Sequence, residues 1–389
     1  MEKLVYGGEG LSRLNGRVVF TPFVLPGERI RAESRQEKPG LVRAQAIEVL
    51  EPAAQRVAAP CPYFARCGGC HYQHAPYDYQ LAAKRAILVE ELRRLGKIEP
   101  PAEIEIVSGE PWAYRNRAQL HVEDGRLGYR EARSHRLCAI DHCPISSPAI
   151  NDAIRTLVSM QRDSRWPRFV RSLEVFSDER QVQINVLETD RPVARRFFDW
   201  CADLIPGVVT GALDYQDRFR VSSNSFFQVN RFLADQLVET AIGGVSGNRA
   251  LDVYAGVGLF SLPLASRFGA VTAVESGGGA VRDLQFNAER AGLTNIDAQQ
   301  RTAEESLAGI TDPPDFIVLD PPRSGLGKQV VERLLALRAP RVTIVACDPA
   351  TLARDLSALV GGGYRIDRMA LVDLFPQTFH LETVVALTR

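Results

Sequence analysis

Residues 251–265 read LDVYAGVGLFSLPLA, and the order of residue types in this stretch decides the architecture. An apolar run carrying an acid, Asp252, gives way to a tight turn holding Gly256 and Gly258, and a helical pattern follows. Glycines at such a turn let a ligand approach backbone N–H groups and the N-terminus of the next helix. About 20 residues on, the run AVTAVE ends in Glu275, placed to accept hydrogen bonds from two ribose hydroxyls. The third glycine of the dinucleotide fingerprint is missing and Ser261 takes its place. That absence favours a nucleoside cofactor without a pyrophosphate over a nicotinamide dinucleotide. Plain α/β packing is the bland alternative.

Towards the C-terminus the same grammar repeats. DFIVLDPP and RVTIVACDP are apolar runs ending in polar loops, each followed by a helical pattern. From about residue 223 this alternation predicts an open, mostly parallel sheet, a Rossmann-like α/β unit over 223–389. Asp320 falls at a strand end, where such sheets place their ligands, although Asp before Pro-Pro also forms turns. Cys347 falls where a strand gives way to a helix, so the helix dipole is expected to lower its thiol pKa. The plainer reading is a small buried hydrophobe. Near the end, HLETVVAL sets Glu382 close to His380 in an apolar run, where a charge is either edge-exposed or functional.

Towards the N-terminus, residues 1–55 hold RVVFTPFVL, ERIRAES and LVRAQAIEVL, short β-branched runs between Pro-Gly turns. Four or five such strands suit an OB-like β-barrel. Residues 56–222 follow as a smaller α+β domain: a cysteine segment, a helix over YDYQLAAKRAILVEELRRLG, then strands such as QLHVED, RSLEVFS and QVQINVLE. The expected fold is therefore multidomain.

The 389 residues carry 47 Lys+Arg and 47 Asp+Glu, a balance that argues neither for nor against nucleic acid. Two local arginine runs, Arg29 to Arg43 and Arg115 to Arg136, read first as solvated faces. MEKLVYGGEG lacks the apolar core of a signal peptide and no run is long enough to span a bilayer, so a cytoplasmic protein without membrane contacts is expected, and a monomer. Seven cysteines in that compartment are not expected to pair as disulfides. Cys61, Cys67 and Cys70, in CPYFARCGGC, form a strong metal signal, with Cys138 and Cys143 as candidates for a fourth thiolate. Cys143 is followed by proline, a context shared with iron–sulfur ligands.

A thiolate beside a methyl-donor pocket has one pressing use. C5 of uracil is a poor nucleophile, and thiolate addition at C6 makes C5 carbanion-like so that it attacks a sulfonium methyl. A carboxylate must then accept the C5 proton.

Over nearly its whole length the chain resembles the RNA uracil-C5 methyltransferase family, of the rRNA and tRNA type. SFFQVN, LDVYAGVG, VES and LDPPRSG resemble its cofactor-contacting segments, which implies Gln228, Tyr254, Gly256, Gly258, Glu275 and Asp320 as ligands of S-adenosyl-L-methionine. ACDPATLARD and HLETV imply Cys347 as nucleophile and Glu382 as base. The resemblance further implies Cys143 as the fourth thiolate, a [4Fe-4S] cluster on Cys61, Cys67, Cys70 and Cys143 (structural zinc being the alternative), and an N-terminal TRAM domain that binds RNA. Leu259 departs from the polar residue some members carry, and the central domain is short. The implied substrate is 23S rRNA, with tRNA as the alternative. A non-catalytic RNA-binding or folding factor and a nicotinamide oxidoreductase are the competing readings.

Overall fold

The computed structural model describes residues 1–389. Its C-terminal half is built on an eight-stranded sheet in the order Ile296–Gln300, Phe268–Glu275, Gly247–Val253, Phe316–Leu319, Arg341–Ala346, Thr383–Thr388, Arg365–Val372 and Glu105–Val107. The first five are mutually parallel, and Thr383–Thr388 runs antiparallel between its two neighbours. Apolar residues at nearly every position of the central strands mark a sheet covered on both faces, as parallel sheets require. The short strand Glu105–Val107, from the stretch between the cysteine segment and the central strands, joins the far edge of this sheet.

Three registers position the site. Val253 pairs with Val274 and with Leu319, and Leu319 pairs with Ile344, so the carboxyl ends of these strands lie level. Ala346 pairs with Thr383, which sets the residues just beyond them, Cys347 and Glu382, side by side. Ligands bind at this edge of open α/β sheets.

The central region is a six-stranded sheet in the order Val208–Val209, Val182–Thr189, Val170–Ser177, Arg117–Glu123, Arg126–Arg130, Leu137–Ala139. It packs its own core around Leu120, Leu157 and Leu173, each fully buried. The N-terminal residues form a five-stranded sheet with Lys3–Val5 and Arg29–Lys38 at its edges. Between these two regions runs helix α1 (Tyr77–Glu91), whose buried Ile87 and Leu88 belong to the same core as Leu319 and Leu356 of the C-terminal half. No helix is long and apolar enough to cross a membrane.

Candidate active site

Beyond Val253 the chain turns sharply. Tyr254 has a left-handed φ of 68°, and Gly256 and Gly258 have φ of 54° and 99°. Positive φ suits glycine, but at tyrosine it costs energy that only the surroundings repay, a mark of functional turns. The Glu275 carboxylate spans this turn: it accepts the Gly256 N–H at 3.1 Å and the Gly277 N–H at 2.7 Å. Oε1 also accepts from the Ser276 hydroxyl at 3.3 Å, while Oε2 keeps a lone pair that a ribose hydroxyl can use. Ser261 is fully buried and donates to Asp252, so the residue standing where a dinucleotide fingerprint has its third glycine instead satisfies an acid. Burial pushes Asp252 up to about 7.

Gln228 is brought in from a separate loop. It is buried, and its carbonyl accepts from Asn116 Nδ2 at 2.9 Å. Asp283, on helix α2 (Gly278–Arg290), ties this loop down by accepting from the Ser222 N–H at 2.8 Å, the Ser222 hydroxyl at 2.6 Å and the Ser225 hydroxyl at 2.7 Å. Phe226, two residues before Gln228, is left 61% exposed.

Asp320, Cys347 and Glu382 gather at the carboxyl edge of the sheet. Burial, then the Asp252 carboxylate, push Asp320 up to about 7. Glu382 is buried and stands before its strand, not at a solvent edge; burial and then Asp320 hold its carboxyl well above the usual range. Burial, then Glu382 and Asp320, push the Cys347 thiol up to about 12. This reverses the expected effect of the helix dipole. The helix that follows, α3 (Pro349–Gly361), is already capped: the Asp348 carboxylate accepts the N–H groups of Ala350 at 3.0 Å and Thr351 at 2.9 Å. An anion sitting on those donors leaves little positive potential for the thiol. Arg323 is the one group that opposes the rise at both Cys347 and Glu382. Sequence reading passed over it, although it stands in the same LDPPRSG loop as Asp320. His380 is pushed down to about 3 by burial, so it is neutral beside Glu382.

At the other end of the chain, Cys61, Cys67, Cys70 and Cys143 line one cavity of about 360 Å³, with Tyr129 and Arg115. Cys138 is buried in its strand and does not line it. Burial pushes Cys67 up to about 12. No three His, Cys, Asp or Glu side chains converge tightly enough to hold a single metal ion.

Comparison with known proteins agrees with the geometry. Residues 203–389 match the family model for tRNA (Uracil-5-)-methyltransferase. A 23S rRNA (uracil(1939)-C(5))-methyltransferase RlmD of Haemophilus parainfluenzae is 33% identical across 100% of this chain and 95% of its own length. The RlmD of Halomonas elongata is also 33% identical, over 100% of this chain and 88% of its own. The chain belongs to the RNA uracil-C5 methyltransferase family. Among solved structures, the Pyrococcus abyssi tRNA (uracil-54, C5)-methyltransferase, in complex with S-adenosyl-L-homocysteine, aligns over 100% of this chain and 99% of its own with a TM-score of 0.75 and 27% identity.

Membership in the RNA uracil-C5 methyltransferase family establishes an enzyme with a multidomain α/β fold, one that uses S-adenosyl-L-methionine. It also sets aside the competing reading of a nicotinamide oxidoreductase, since the family is one of transferases. Leu259 is half-buried and packs between two hydrophobic clusters, so it supplies no polar contact at the cofactor turn.

Proposed function

We propose that this chain methylates C5 of a uridine in 23S ribosomal RNA, with Cys347 as the covalent nucleophile and Glu382 as the base. The observation that carries the reading is the register that sets Cys347 beside Glu382 at the strand ends, next to Asp320 and the Tyr254–Gly258 turn. Gln228, Tyr254, Gly256, Gly258, Glu275 and Asp320 would hold S-adenosyl-L-methionine, and Glu275 fits because its carboxylate faces the turn with acceptor capacity to spare. When bound, the cofactor supplies an electrophilic methyl on a cationic sulfonium.

The protein's own groups do the rest. Cys347 Sγ bonds to C6 of the uracil, and the C5–C6 π electrons move onto the ring as an enolate. C5 takes the methyl using those electrons. Glu382 then removes the C5 proton, the C5–C6 double bond re-forms, and the C6–S bond breaks to release thiolate. Burial and neighbouring carboxyls favour the neutral forms of the half-buried Cys347 thiol and the buried Glu382 carboxyl, so a cation brought among them favours the thiolate and carboxylate the reaction uses. Arg323 favours the same charged forms.

The RNA side of the reading rests on charge and shape. A cleft of about 990 Å³ between the N-terminal sheet and the cysteine segment is lined by Arg35, Arg43, Arg56, Arg66, Arg133 and Arg136, and reaches Phe379. Arginines of both early runs thus meet in one place, each paired there with Glu9, Glu28, Glu33 or Glu131, so a phosphate would bind by taking over donors from these carboxylates. Residues 1–55 would act as a TRAM-type barrel on one side of this cleft, residues 56–222 as the central domain, and residues 223–389 as the methyltransferase unit. A target base must leave its stack to reach Cys347, so the uridine is unpaired, and exposed Phe226 offers a face for stacking. The preference for 23S rRNA over tRNA follows the RlmD relatives.

Cys61, Cys67, Cys70 and Cys143 would hold a [4Fe-4S] cluster. What supports this reading is that four thiols line one cavity and that Cys143 precedes a proline; structural zinc on the same four is the alternative. The proposed chemistry needs no electron transfer to or from the cluster, so the cluster's part would be to tie Cys61–Cys70 to the distant Cys143.

The test is RNA carrying 5-fluorouridine, incubated with S-adenosyl-L-methionine and resolved on a denaturing gel. Fluorine at C5 does not leave as a cation, so a covalent band with 23S fragments, absent in Cys347→Ala, is expected. A band with tRNA alone would overturn the substrate, and a band surviving Cys347→Ala would overturn the nucleophile.

A further inference from the structure

Residues 373–380, which lead into Glu382, are held from the N-terminal half of the chain. Helix α1 presents Gln80 and Lys84, four residues apart on one face, and both are buried. Lys84 Nζ donates to Asp373 Oδ1 at 2.6 Å and to the Phe375 carbonyl at 2.9 Å. Gln80 and Gln377 bond reciprocally: Gln80 Nε2 donates to Gln377 Oε1 at 2.9 Å, and Gln80 Oε1 accepts the Gln377 N–H at 3.0 Å. The Gln377 carbonyl in turn accepts the N–H groups of His71 at 2.8 Å and Tyr72 at 3.0 Å. Gln377 itself has a left-handed φ of 68°, a conformation that a non-glycine residue keeps only where its surroundings impose it.

What this clamp holds is the approach to the active site. The Phe379 ring lies 4.6 Å from His71 and 4.3 Å from His380, and Glu382 follows two residues later. An ion pair as deep as Lys84–Asp373 is a poor device for stability alone, since apolar residues of similar volume often serve as well. Its bonds are directional, however, and they fix where the loop sits.

We propose that Gln80 and Lys84 are positioning residues for the proton-abstraction step: they hold residues 373–380 so that Glu382 meets C5 while Cys347 is bonded to C6. This rests on the reading of Glu382 as the base. The consequence is specific. Displacing Glu382 leaves thiolate addition and methyl transfer in place but slows loss of the C5 proton, and until that proton leaves the C6–S bond cannot break. A covalent protein–RNA species should therefore build up on ordinary uridine RNA.

The experiment compares the full-length protein with Lys84→Met/Asp373→Leu, Gln80→Met and Glu382→Gln. Each is incubated with S-adenosyl-L-methionine and unmodified 23S fragments or tRNA transcripts, then resolved on a denaturing gel. The double variant removes both buried charges together and so strands neither, but it loses the bond to the Phe375 carbonyl. It should melt near the parent, bind S-adenosyl-L-methionine unchanged, lose about 10- to 100-fold in kcat and accumulate the covalent species. If it does not fold, Gln80→Met carries the same expectation. Folded variants with parental kcat and no covalent species, while Glu382→Gln accumulates it, would overturn the clamp and leave the base assignment standing. Lost kcat without a covalent species would overturn it too, by placing the defect in another step. No covalent species in Glu382→Gln itself would overturn the base assignment and the clamp with it.

Discussion

Two of the places where the molecule keeps thiols share one electrostatic problem and differ in how it is met. Cys347 sits at a strand end among carboxyls, with its thiol pushed up to about 12 by burial, Glu382 and Asp320. Cys67 sits in a cavity among other thiols and is pushed up to about 12 by burial and by Cys138, Cys143 and Cys61. Neither place by itself favours a thiolate, and in each a cation would relieve the cost. At the cysteine cavity that cation would be a resident metal core, bound once. At Cys347 it would arrive and depart with each turnover as the sulfonium donor, leaving only Arg323. On the proposed mechanism the difference accounts for the half-buried, carboxylate-lined niche of Cys347: a thiolate that must later leave C6 would be better made on demand than stabilised permanently.

This contrast can be broken in four ways. Glu382→Gln removes the proton acceptor and should lower kcat by about 10²- to 10⁴-fold in a methyl-transfer assay while S-adenosyl-L-methionine affinity holds. A matching loss of affinity would move Glu382 from the chemistry to cofactor binding. Cys70→Ser should abolish iron in metal analysis and lower stability by on the order of 3 kcal/mol in denaturant melts; full iron content would remove the cluster from the account.

A third test uses pH. Asp320 has a folded pKa raised to about 7, above its unfolded value, so the stability it contributes is present at low pH and is lost as pH rises through about 7. A cationic ligand reverses that preference by favouring the carboxylate. Calorimetry should find S-adenosyl-L-methionine binding strengthening from pH 6 towards 7, by at most about tenfold per unit for one released proton, then levelling. His71 and His74, held near 4, and His380, near 3, stay neutral across this window, whereas Asp252, also raised to about 7, titrates in it together with Asp320, so the change reports the pair. The smallest effect belongs to Asp348→Ala. It should cost about 1 kcal/mol as a lost helix cap and bring the Cys347 thiol pKa down, by returning two N–H groups to the thiol's end of the helix.

What the sequence made legible divides along the same line. The strand ends carrying Gly256, Glu275, Asp320 and Cys347 are local patterns of apolar run, acid or glycine, then helix, and the structure sets them level as a parallel sheet must. The wrong sign at Cys347 was also local: Asp348 followed by Pro349 is a capping signal that uses up the dipole. Arg323 was in plain view but has meaning only once two strand ends are adjacent. The strand Glu105–Val107 and the grip of Gln80 and Lys84 on residues 373–380 were not legible, because partners nearly 300 residues apart in the chain leave no periodic trace in one sequence.

The most direct test of the central claim uses RNA labelled with tritium at C5 of uridine. Methylation at C5 through a Cys347 adduct predicts one tritium released to water for each methyl transferred, with both signals lost together in Cys347→Ala. Methyl transfer without tritium release would contradict the account, because it would place the methyl on an atom other than C5.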